Sequence, residues 1–90
     1  ERTRVLLHLV DLTADDPLAN YRTVRQELER YHPGLLAKPE VIAGTKADVS
    51  GTDRGAAALL REFPHARIIS SRTGSGIVEV LGDLRKAANR

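Results

Sequence analysis

The chain has no cysteine, no tryptophan and no methionine, and only one phenylalanine and two tyrosines. Without thiols there is no disulfide framework, no thiolate metal site and no cysteine nucleophile; the composition fits a reducing compartment, and a cytoplasmic location is expected. With so few aromatics, the core has to be built from Leu, Ile, Val and Ala. No apolar run approaches the roughly 20 residues that cross a bilayer, and Glu1-Arg2-Thr3-Arg4 lacks the charged-then-apolar pattern of a leader, so no membrane partner is expected. Charge of one sign is scarce too: 14 Lys and Arg against 12 Asp and Glu leave a formal +2. Basic and acidic residues interleave, as in Arg25-Gln26-Glu27 and Arg61-Glu62. That is a solvated mixed surface rather than a stripe that tracks phosphates, and direct DNA binding is not expected. Finally, no G-x-x-x-x-G-K-[ST] occurs, so none of these residues reads as a phosphate-cradling loop.

What is present fits one small domain. Ninety residues bury only roughly 60–65% of their unfolded surface, so the stability margin is thin. Val5-Leu6-Leu7-His8-Leu9-Val10 is a near-continuous branched run suited to a strand buried on both faces, as in parallel sheets. Asp16-Pro17 reads as a helix start, with Asp16 as N-cap and Pro17 at the first helical position. Leu18, Tyr21, Val24 and Leu28 give that helix one apolar stripe, and Tyr31-His32-Pro33-Gly34 stops it. A second strand is expected over roughly Glu40 to Gly44. A helix over about Asp53 to Phe63 follows, burying Ala56, Leu59, Leu60 and Phe63, and then a third strand at Arg67-Ile68-Ile69-Ser70. Beyond the Gly74-Ser75-Gly76 turn, Ile77, Val80, Leu81 and Leu84 mark a last amphipathic helix ending at Arg85-Lys86.

The order β-α-β-α-β-α, with helix-sized crossovers and no hairpin signal, predicts a three-layer α/β fold. Its three strands should lie in chain order in a parallel sheet with right-handed connections. The chain opens almost directly on a buried-type strand, the pattern of an excised segment.

The chemistry is carried by two loops that leave successive strand ends, Gly44-Thr45-Lys46-Ala47-Asp48 and Ser70-Ser71-Arg72-Thr73-Gly74. In open parallel sheets, ligands bind beyond the carboxyl ends of the strands, where such loops converge. A short carboxylate there can accept from both N1–H and the exocyclic amine of guanine, whereas adenine would leave the charge unpaired; that role falls to Asp48. Lys46 has an aliphatic stem long enough to lie along a base. Thr45 can tie its loop to the rest of the site, Ser70 can brace the second turn, and the Ser71 N–H can meet guanine O6. Taken alone, the Thr45-Lys46-Ala47-Asp48 turn reads better as a carboxylate capping backbone N–H groups, and the weaker serine loop as a cap of the last helix. Their occurrence at successive strand ends, one βα unit apart, favours the joint reading.

These loops resemble the guanine-reading motifs of P-loop GTPases, usually written NKxD and SAK. The resemblance narrows to the Obg family over Glu1-Arg2-Thr3-Arg4-Val5-Leu6-Leu7-His8-Leu9-Val10-Asp11, Arg25-Gln26-Glu27-Leu28-Glu29-Arg30-Tyr31, Leu36-Ala37-Lys38-Pro39 and Thr45-Lys46-Ala47-Asp48. It covers essentially the whole chain and implies a single partial domain, residues 1–90, the C-terminal half of an Obg-type P-loop GTPase domain. It implies guanine-nucleotide contacts from Thr45, Lys46, Asp48, Ser70, Ser71 and Arg72, with GTP or GDP as ligand and Mg²⁺ held by residues outside this segment. It also implies a parent GTPase acting on the large ribosomal subunit during assembly, with links to growth control and the guanosine tetraphosphate alarm signal. Thr45 stands where the family usually has Asn, and Ser71 where it usually has Ala. The phosphate loop, the switch I threonine and the switch II Asp-x-x-Gly are not among these ninety residues, so hydrolysis by them alone is not expected.

Two other classes compete. One is a non-enzymatic α/β interaction or structural module without nucleotide binding. The other is a receiver-like phosphoacceptor domain built around Asp11, with Asp15 and Asp16 as a candidate Mg²⁺ cluster, against which helix capping explains Asp16 better and no matching phosphoacceptor Asp with its partner Lys is apparent. His8 reads as a satisfied core histidine, and His32 and His65 as turn residues without a second ligand at metal spacing.

Overall fold

The computed structural model describes residues 5–89. The Glu1-Arg2-Thr3-Arg4 part of the family resemblance lies outside them. Three strands, β1 (Leu6–Asp11), β2 (Glu40–Thr45) and β3 (Arg67–Ile68), alternate with three helices, α1 (Pro17–Tyr31), α2 (Asp53–Glu62) and α3 (Ile77–Ala88). The sheet is parallel throughout in the order β1-β2-β3, as the element order predicts. β1 and β2 run in register from Leu6 opposite Glu40 to Asp11 opposite Thr45, which brings both strand ends to one rim.

Each helix start has a local cause. Asp16 accepts from the Ala19 N–H at 3.1 Å, and Pro17 takes the first helical position, where its missing N–H costs nothing. Thr52 precedes α2 and sends its hydroxyl back to the Ala47 and Val49 carbonyls at 3.3 and 3.0 Å. Gly76 precedes α3 with φ +78; a side chain there would drive its Cβ into the Ile68 carbonyl oxygen.

Two half-cores flank the sheet. Val10, Leu12, Tyr21, Leu59 and Ala66 pack on one side with Leu18, Ile42 and Phe63 beside them; Val41, Ala43, Ile69 and Val80 pack on the other with Val5, Ile77 and Leu84. Gly44 lies where the first group closes on the sheet: a Cβ there would sit 2.8 Å from Leu12 Cδ2 and 3.0 Å from Leu59 Cδ2. His8 is buried as a core histidine, its ring centroid 4.4 Å from that of Tyr21 and its Nδ1 3.4 Å from Glu40 Oε2. Tyr21 donates to Glu40 Oε1 at 2.8 Å, and Arg25 Nη1 approaches Oε2 at 3.4 Å, so this cluster fastens α1 to the sheet.

Several expectations need correction. β1 is not buried on both faces: His8 and Val10 point into the first half-core, but Leu7 and Leu9 remain 40% and 55% exposed. α3 packs on β2 and leaves that corner of β1 uncovered. Val24, Leu60 and Leu81 are also exposed, because each helix spends a narrower arc on the sheet than its apolar periodicity suggests. β3 pairs only at Arg67 and Ile68, not through Ser70. Beyond that, Ile69 N–H donates to the Gly44 carbonyl while its own carbonyl accepts from Ala47 N–H, so the strand dissolves into the loop it braces. A 3₁₀ turn at Pro33–Ala37 follows α1 where a plain stop was expected, closed by Leu35 N–H to the His32 carbonyl at 3.0 Å.

Candidate functional site

The two loops singled out by the sequence converge beyond the carboxyl ends of β1, β2 and β3. Thr45, the last residue of β2, donates its hydroxyl to the Val10 carbonyl at 3.3 Å and accepts at its own carbonyl from Leu12 N–H at 3.2 Å. The start of the first loop is thereby tied to β1. Lys46 turns the chain with φ +64, a left-handed conformation that costs a residue with a side chain about 1–2 kcal/mol.

Asp48 projects from the far side of this turn. Its Oδ1 accepts a 2.7 Å hydrogen bond from Ser70 Oγ, which is 1% exposed, while Asp48 itself is exposed. That bond, helped by backbone hydrogen bonding and by the charge of Arg72, lowers the Asp48 pKa and keeps the carboxylate ionised at neutral pH. Ser70 is held in turn. Its Oγ accepts from Thr73 N–H at 3.2 Å, its carbonyl from Gly74 N–H at 2.8 Å, and its own N–H donates to the Ser75 carbonyl at 3.0 Å. One serine thus organises the second loop and pins the first to it. Ser71 follows on the exposed crest of the turn, and its N–H donates to no other group among the described residues. Arg72, also exposed, reaches this rim through its field at Asp48.

The rim therefore holds an exposed, ionised carboxylate at Asp48, a backbone N–H at exposed Ser71 without a partner among the described residues, and the exposed Lys46 side chain. Such a set can accept two donors and offer one, the complement of guanine's N1–H, 2-amino and O6 groups.

A partner missed in the sequence is Asp11, at the end of β1. Its Oδ2 lies 3.1 Å from Lys46 Nζ, and its Oδ1 accepts from Thr13 N–H at 2.8 Å and Thr13 Oγ1 at 2.6 Å. These bonds, those from Thr13 foremost, hold its pKa down to about 2. Asp11 thus pairs with a lysine that the sequence does not place beside it; the Asp-x-Thr spacing of an Asx turn was the available signal for its bonds to Thr13. Among the described residues, no three His, Asp or Glu side chains are grouped to hold a metal ion.

No family model matches the chain. Curated proteins named GTPase Obg do. That of Sorangium cellulosum is 37% identical over 97 aligned positions, covering 100% of this chain and 28% of the relative. That of Crocosphaera subtropica is 42% identical over 85, covering 90% of this chain and 25% of the relative. That of Moorella thermoacetica is 41% identical over 90, covering 90% and 20%. The chain thus spans under a third of the length of each of these relatives.

Proposed function

We propose that this chain, which belongs to the Obg family of GTPases, is the segment of a longer GTPase's G domain that reads the guanine base. Asp48 accepts from guanine N1–H and the 2-amino group, the Ser71 N–H donates to O6, the Lys46 stem lies against the base, and Thr45, Ser70 and Arg72 hold or tune these groups. The observation that carries the reading is the hydrogen bond from buried Ser70 to Asp48 Oδ1. It fixes an exposed carboxylate in place before any ligand arrives, so little ordering entropy remains to be lost on binding. A carboxylate that merely capped its own turn would not require a buried hydroxyl from a loop 22 residues away.

The chemistry of the donor set fits GTP or GDP at the base end only. Phosphate binding, Mg²⁺ ligation and activation of the attacking water belong to residues outside these ninety, and when bound Mg²⁺ neutralises charge on the phosphates. The longer protein hydrolyses GTP, whereas this segment alone binds nucleotide weakly and does not turn it over. Family membership further supports a cytoplasmic protein acting on the large ribosomal subunit during assembly.

The direct test is displacement of a fluorescent GDP from the full-length protein. GTP and GDP should compete, and ATP should fail even at about a hundredfold excess. Equal displacement by ATP would overturn base reading at this rim.

A further inference from the structure

The base-reading proposal leaves Lys46 with a problem. Its side chain is long, flexible and exposed, and a free lysine stem is a poor surface for a planar base because binding would have to freeze several rotatable bonds. The backbone is also left-handed here, so Lys46 does not continue the run of β2. Something has to aim it.

Resting on the base-reading proposal above, we infer that Asp11 and Thr13 are positioning residues for the nucleotide site: they anchor the Lys46 ammonium over the end of β1 and so preform its stem as a surface for the base. Three features carry this. β1 and β2 end opposite one another, Asp11 beside Thr45, so Lys46, the next residue, lies within reach of the end of β1. Asp11 Oδ2 meets Lys46 Nζ at 3.1 Å. Asp11 is not free to swing: both its Oδ1 bonds go to Thr13, whose N–H and hydroxyl lie 2.8 and 2.6 Å away. With one oxygen committed to Thr13, the other faces the lysine. The Lys46 tether is thus fixed at its backbone by the turn and at its tip by Asp11, leaving the methylenes between as a short strap along the rim. Asp11 contacts no base in this arrangement; it acts through Lys46.

An exposed ion pair adds little to stability, so its removal should leave the fold intact while loosening the strap. In the full-length protein, Asp11→Asn should weaken GDP binding by about two- to fivefold, the range an exposed pair supports. The same change in a Lys46→Met background, which keeps a straight stem without the ammonium, should cause no further loss, because the coupling runs through that charge. A structural role would not produce two further readouts: a shift of the Lys46 ammonium ¹⁵N resonance on Asp11→Asn, and an unchanged melting temperature. An Asp11→Asn protein with wild-type GDP affinity, or one that loses affinity equally in the Lys46→Met background, would overturn the inference. Asp48→Ala is measured alongside. If Asp48→Ala also leaves GDP binding untouched, the base-reading proposal itself fails; if only Asp11→Asn is silent, base reading stands and the positioning role alone is lost.

Discussion

Ser70 and Asp48, 22 residues apart, are joined by a 2.7 Å hydrogen bond that makes one rim out of two loops. Ser70 is the hub: its hydroxyl also accepts from Thr73 N–H. Ser70→Ala should therefore cost about 0.5–1.5 kcal/mol of stability through lost hydrogen bonding in a buried position. It should also let the Asp48 pKa rise toward the ordinary carboxylate value, since that bond is the foremost cause of its depression. Carboxyl-detected NMR titration of the variant checks the second point; an unmoved Asp48 would mean the bond is not holding the carboxylate.

A pH dependence follows from His8. Burial lowers its pKa below 6.5, outweighing the opposing effect of Glu40. The folded state therefore disfavours the imidazolium, and the unfolded chain binds the extra proton first. Stability should be full above the unfolded pKa and decline as pH falls below about 6.5. Denaturant midpoints measured from pH 7.5 to 5.5 should drop for the wild type and flatten for His8→Gln. Rising stability over that interval would contradict the assignment.

Two glycines should respond in opposite directions to alanine. Gly76 has φ +78 and a carbonyl in the way of a Cβ, so Gly76→Ala should destabilise by roughly 1–3 kcal/mol. Gly82 sits inside α3 with open space around it, so Gly82→Ala should stabilise by about 0.5–1 kcal/mol through helix propensity alone. Thermal melts of the two variants decide; a shared sign would not fit the fold.

Along β1, Leu6 and Leu12 donate their N–H groups toward the β2 side, to the Pro39 and Thr45 carbonyls. By alternation, the N–H groups of Leu7 and Leu9 point to the opposite edge, where no described strand pairs. In the ninety-residue chain, those two amides should exchange fast while His8 and Val10 stay protected. Strong protection of Leu7 and Leu9 in a monodisperse monomer would require another strand on that edge.

The element order, the parallel sheet and both site loops are legible in the sequence because they rest on local signals: branched runs, Asp16-Pro17, Gly-bearing turns and polar residues at strand ends. The exposure of Leu7, Leu9 and Leu81 is not, since periodicity marks a face as apolar without saying whether a neighbour covers it. The brevity of β3 was hidden for a related reason. Ile69 and Ser70 look like strand residues, yet after the Ile69 N–H bond to Gly44 of β2 their hydrogen bonds serve the loops at Ala47 and Ser75. The pairing of Asp11 with Lys46 is not legible because the two lie 35 positions apart, and only the register of β1 against β2 brings them together.

The most direct test of the central claim is the base specificity of Asp48→Asn in the full-length protein. A carboxylate accepts from guanine N1–H and the 2-amino group, whereas Asn can donate its amide to the 2-oxo group of xanthine. Competition binding with GTP, XTP and ATP should show GTP weakened by about 2–4 kcal/mol and XTP gained, while Asp48→Ala loses GTP without gaining XTP. Retention of full GTP affinity and of selectivity over XTP by Asp48→Asn would reduce Asp48 to a turn residue and contradict the account.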